Sequence, residues 1–118
     1  MISVVFVMPV GEFEALVADA LDGIPADLGV AMENVAVEVD AISPPGRLLG
    51  LYQGIPLTKR GVRYSASMPD RITIYMATIC SACQTRDEVA KLTRRTVIHE
   101  VAHHFGIDDE RLTELGWG

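Results

Sequence analysis

The stretch that constrains this chain most runs from Thr85 to Phe105, where no Gly or Pro interrupts a helical pattern. Thr85-Arg-Asp-Glu88 matches a capping box, in which the Thr hydroxyl accepts from the backbone N–H of Glu88 and the Glu88 carboxylate reaches back to that of Thr85. Gly106 is a natural C-terminal stop. The helix so bounded carries His99, Glu100, His103 and His104. Ala90, Val97, Ile98, Val101 and Phe105 spread over a further arc of about 100°, so from Thr96 onward the helix has almost no ordinary solvated face. It is expected to be largely buried. Burying three imidazoles and a carboxylate side by side is costly unless they are hydrogen-bonded or bound to a metal.

At about 100° per residue, His99 and His103 lie about 40° apart, one turn from each other, so both imidazoles can reach one ion. Glu100 lies about 100° from His99 and about 60° from His103, beside the pair. A general base for a zinc-bound water is needed there, because a carboxylate pointing with the imidazoles would become a ligand itself. Gly106 permits the positive φ that swings the chain back toward the site. Two carboxylates follow, Asp108 and Asp109, either of which can serve as a zinc ligand at about 2.0–2.2 Å while the other caps a short final helix carrying Leu112 and Leu115.

The remaining pattern fits one domain over residues 1–118, since 118 residues with 49% hydrophobic composition support a single core. The opening MISVVFVMPV reads as a first strand, with Met8 as an alternative start, and too few apolar residues for a signal segment. Phe13, Leu16, Val17, Ala20 and Leu21 recur at helical spacing, ending near Gly23 and Pro25. Val35–Asp40 alternates as a strand, Leu48–Gln53 is a shorter one, and Arg71–Met76 places Ile72, Ile74 and Met76 on one face with Arg71, Thr73 and Tyr75 on the other. No apolar run approaches the roughly 20 residues of a membrane span. A net charge of −6 argues against nucleic acid as a partner. A cytoplasmic location is the expectation, and the oligomeric state is left open. Residues 1–46 contain eight acids and no Lys or Arg, whereas residues 47–70 contain Arg47, Lys59, Arg60 and Arg63 against Asp70 alone. Lys59, Arg60 and Arg63 either face solvent or favour an anionic substrate group.

HEVAHHFGIDD resembles the extended zinc-binding motif of the zincin metallopeptidases, in the variant with Asp as third ligand found in snapalysin-type enzymes. GLYQGIPLT, PDRITIY and HEVAHHFGIDDERLTELGW are similar to the small bacterial minimal zincins, from about residue 12 onward. The resemblance implies an α+β fold, zincin-like, with a small mixed β-sheet packed on an N-terminal helix and the active-site helix. It implies Zn²⁺ held by His99, His103 and Asp109, with Glu100 as general base, and a peptide or protein substrate laid along an edge strand, Leu49 to Tyr52, paired with Arg71 to Met76. Motif spacing favours Asp109 over Asp108 as ligand, leaving Asp108 as the cap. Two His and one Asp leave the site near +1, which places more weight on Glu100 than three His would. The sequence departs from the metzincin pattern in having no Met among the residues after Asp109, so Met76 or Met68 would have to stand beneath the metal. No oxyanion tyrosine is assigned. Tyr52, Tyr64 and Tyr75 are available, of which Tyr52 and Tyr75 are candidates for contacting the site or the substrate.

His104 points away from the other two imidazoles and is read as a hydrogen-bonded core residue behind the site. Cys80-Ser-Ala-Cys83 is the one cysteine pair, either structural or a redox-active dithiol. Three functions follow: a zinc peptidase, a zinc-containing peptide-binding or regulatory module with little turnover, and a thiol-disulfide protein built on Cys80 and Cys83.

Overall fold

The computed structural model describes residues 7–24, 32, 34–42, 48–55 and 70–114. Helix α1 (Val10–Asp22) begins after Pro9, whose carbonyl accepts from the N–H groups of Glu12 and Phe13. It buries Phe13, Leu16, Val17 and Ala20, the apolar stripe expected from the spacing. Strands β1 (Val35–Asp40), β2 (Gly50–Gln53) and β3 (Asp70–Tyr75) form a mixed sheet in the order β1-β3-β2. The β1/β3 pair is parallel, with Val37 opposite Ile72, and the β2/β3 pair is antiparallel, with Tyr52 opposite Ile72. Helices α2 (Met76–Ser81), α3 (Arg86–His104) and α4 (Asp109–Glu114) follow. The α+β class and the mixed sheet are those expected.

Several details differ from the sequence pattern. Met76 is not a strand residue: it opens α2, a six-residue helix whose Ile79 and Cys80 enter the core. β3 also buries both faces: Thr73 and Tyr75 are buried along with Ile72 and Ile74. Val7, Met8 and Pro9 are not in a strand and Val10 opens α1, while residues 1–6 of that expected first strand lie outside the described residues, as do Lys59, Arg60, Arg63, Tyr64, Met68 and Leu115.

Helix α3 packs against α1, β2 and β3 and therefore sets the site. Thr85 Oγ1 accepts from Glu88 N at 3.1 Å, the first half of the capping box. The Glu88 carboxylate accepts from Gln84 N at 3.2 Å, one residue before the expected Thr85. At the other end Gly106 adopts φ 79°. Gly106 N donates to His103 O at 3.0 Å and Ile107 N to Ala102 O at 2.9 Å, the paired bonds of a Schellman motif.

Along α3, three stripes four residues apart divide the labour. Thr93, Val97 and Val101 are buried in the core cluster or beside it. Thr96, Glu100 and His104 are buried toward the sheet, and Arg95, His99 and His103 form a stripe that stays partly or fully exposed. Gly50 permits the sheet to approach this closely. A Cβ there would stand 2.9 Å from Thr96 Cγ2 and 3.1 Å from Glu100 Cγ. The strand face carrying Gly50, Tyr52, Ile72 and Ile74 is therefore the one turned to α3.

Candidate functional site

His99 and His103 sit one turn apart on α3 with ring centroids 4.6 Å apart. The Schellman turn redirects the chain so that Asp109, the first residue of α4, returns beside them. Its Oδ1 lies 3.2 Å from Nε2 of His99 and 3.2 Å from Nε2 of His103. Asp108 does not share this position; its Oδ1 accepts from Arg111 N at 2.8 Å and caps α4. Glu100 Oε1 lies 3.2 Å from Nδ1 of His103, and the Glu100 side chain is only 7% exposed. One donor atom each from His99, Glu100 and His103 falls within 4.8 Å of the others.

This donor set fits a divalent cation of the zinc type. Two ligands bound at about 2.0–2.1 Å in a tetrahedral zinc site stand about 3.3 Å apart, close to the separations of Asp109 from the two imidazoles. Proton counting leads the same way. A neutral His103 has one N–H, yet Nδ1 faces Glu100 and Nε2 faces Asp109. With the N–H given to Glu100, the Nε2 lone pair confronts a carboxylate, which is favourable only if a cation or a second proton lies between them. Burial pushes the Glu100 carboxyl above the usual carboxylate range, and the neighbouring His103 and His99 pull it back down.

A second cluster lies behind His99 and His103. His104 is 1% exposed, and its Nδ1 lies 2.9 Å from Oδ2 of Asp70, itself 3% exposed. The Tyr52 hydroxyl donates to the same Asp70 Oδ2 and lies 3.3 Å from His104 Nδ1. The register explains the contact: Tyr52 faces Ile72 across the sheet, so Asp70 is its diagonal neighbour on the face turned to α3. Gly54 leaves room for this carboxylate, since a Cβ there would fall 2.5 Å from its atoms. The Tyr52 hydroxyl is thus directed at Asp70. Tyr75 is buried at the end of β3 and Met76 half-buried at the start of α2, packed against the core. Asp70 is the member of this cluster that sequence reasoning misses. A signal exists, because Asp70 shares the period-two face of Ile72 and Ile74, and a carboxylate on a buried face needs a partner.

Beside His99 and Glu100 opens a groove of about 420 Å³, walled by the residues leading into β2 and by α3. β2 is one of the two edge strands of the sheet among the described residues. Cys80 and Cys83 lie apart from this groove, free and buried, with Cys83 N donating to Cys80 O at 3.2 Å. They flank the C-terminal end of α2, where the helix dipole disfavours a thiolate. Burial, and for Cys80 the neighbouring Cys83, pushes both thiols up from their ordinary value. A redox-active dithiol needs the opposite shift.

A zincin-type helix with its imidazole pair, packed on a small mixed sheet, defines a class, and the family comparison agrees with it. The family model for zincin-like metallopeptidases matches residues 26–117, and the chain belongs to that family. Among solved structures, a conserved hypothetical protein from Thermo thermophilus is similar, with 23% identity and a TM-score of 0.57 over 83% of this chain and 94% of that one. At that identity the likeness speaks for the fold. No curated protein matches the chain.

Proposed function

We propose that this chain is a zinc-dependent peptidase in which His99, His103 and Asp109 hold the metal and Glu100 is the general base. The observation carrying this reading is the position of Asp109 Oδ1, 3.2 Å from Nε2 of both histidines, with Glu100 buried beside them. Zinc bound by two imidazoles and a carboxylate supplies a Lewis acid that acidifies a water and polarises a carbonyl. Glu100 accepts the proton of the attacking water and delivers it to the leaving amine. His103 orients Glu100 through the Nδ1 contact while offering Nε2 to the metal, so one imidazole fixes both ligand and base. As an edge strand among the described residues, β2 suits main-chain pairing with an extended peptide, and the groove beside it is lined by both Gly50 and Glu100.

The reading is tested by turnover on a peptide library with the zinc-loaded chain, followed by mass spectrometry. Cleavage abolished by chelation and restored by stoichiometric zinc is the expected result. Peptide binding without any cleavage would instead favour the binding-module reading, in which the same cleft holds a peptide and does not cut it.

A further inference from the structure

Among the described residues, the groove beside His99 has one Arg or Lys in its wall, Arg95. Among the same residues, Arg71, Arg86, Lys91 and Arg111 each lie against a carboxylate, at Glu38, Glu12, Asp87 and Glu114 respectively, and Arg94, which has none, is not part of the groove. Arg95 has no such partner among them and lines the groove together with Leu48, Leu49, Leu92 and Glu100. It stands one turn before His99 on the same stripe of α3. The guanidinium is exposed at the rim of this groove, so a carboxylate brought to it forms a charge-assisted bond that water and salt screen in part.

We infer that Arg95 determines substrate specificity by binding a carboxylate of the peptide, so that the groove prefers chains with an acidic group close to the bond being cut. The inference rests on the peptidase reading above and names the substrate class. One helical turn of four residues rises about 6 Å, which equals about two residues of an extended chain. The carboxylate therefore sits about two residues from the scissile bond. It comes either from a Glu or Asp side chain or from the peptide's own C-terminus. The chain's net charge of −6 repels acidic peptides at long range, so the preference arises from this local contact.

The test takes a peptide that the zinc-loaded chain cleaves and places Glu, Gln or Lys at each of the two positions on either side of the cut, with a free or amidated C-terminus as a further pair. Cleavage is measured as kcat/KM, and affinity is measured by fluorescence anisotropy on zinc-loaded Glu100→Gln, which holds the peptide without consuming it. At one position, or at the free C-terminus, the acidic peptide is expected to be favoured about twofold to fivefold over its neutral counterpart. The position or terminus that responds identifies the source of the carboxylate. Arg95→Ala should bring that ratio to about one, Arg95→Lys should keep part of it, and Arg95→Glu should turn the preference toward Lys. A ratio cancels any loss of folded protein, which lowers both peptides equally. Cleavage with no acidic preference anywhere, or a preference that survives Arg95→Ala, overturns the inference and leaves the peptidase reading intact. Zinc-loaded protein that cuts no peptide overturns the peptidase reading and this inference with it.

Discussion

Glu100→Gln is expected to lower kcat/KM for peptide hydrolysis by about 10²- to 10⁴-fold while zinc affinity changes by no more than about threefold. The substitution keeps the size of a side chain packed against Gly50 and preserves an oxygen for the His103 Nδ1 contact. It removes only the ability to accept and release a proton. Burial raises the Glu100 carboxyl above its ordinary range, the direction a general base needs. Glu100 is itself near enough to both histidines to be a ligand, and this variant separates the two roles. Loss of zinc together with activity assigns Glu100 to the metal; full activity with zinc retained removes it from the mechanism. Both quantities are read on one preparation, by metal analysis and peptide turnover.

Asp70→Ala is expected to cost about 3–5 kcal/mol of folding stability, the range for removing one member of a buried pair. His104 is 1% exposed, so without Asp70 its Nδ1 loses a partner in a place water scarcely reaches. The Tyr52 hydroxyl loses the same acceptor. Asp70→Asn retains a hydrogen-bonding group and should cost less, about 1–2 kcal/mol. Urea unfolding followed by circular dichroism checks both, and a double-mutant cycle with His104→Ala isolates the pair. A cost below about 1 kcal/mol for Asp70→Ala would show that the cluster does not tie the sheet to α3. The cluster has a mechanical consequence for the site. Tyr52 belongs to β2, Asp70 to β3 and His104 to α3, adjacent to His103. The contact therefore holds strand β2 and the helix carrying His99 and His103 in one arrangement.

The parts of this fold written in local pattern are legible in the sequence. Helix α3 has a Thr85 cap, an uninterrupted periodic stretch and a Gly106 stop, and it forms with those bounds. Helix α1 likewise follows its apolar stripe. Helix α2 escapes notice because Met76-Ala-Thr-Ile-Cys-Ser81 is shorter than two helical turns and continues an apolar strand without a break, so only packing in the core decides its conformation. The strand order β1-β3-β2 depends on how connections cross the sheet, which no local pattern records. The imidazole pair and Glu100 are legible because helical geometry alone brings them together. Asp109 needs the Schellman turn, whose direction the glycine allows but does not dictate. Asp70 and Arg95 are the least visible. Asp70 matters through a partner 34 residues away on another element. Arg95 sits at an exposed helical position, and only the approach of residues 48–50 makes that position the wall of a groove.

The central claim is that the metal is held by His99, His103 and Asp109, and zinc content per chain tests it most directly. Inductively coupled plasma mass spectrometry on the purified protein, reconstituted with zinc and freed of excess metal, should give one zinc per wild-type chain. His99→Ala should weaken retention by more than about 100-fold, beyond what loss of a residue merely supporting a ligand costs, and Asp109→Ala by at least about 10-fold. Replacing both Cys80 and Cys83 by Ser should leave the zinc in place. Zinc that stays after His99→Ala and Asp109→Ala, or that departs with the two cysteines, would contradict the account.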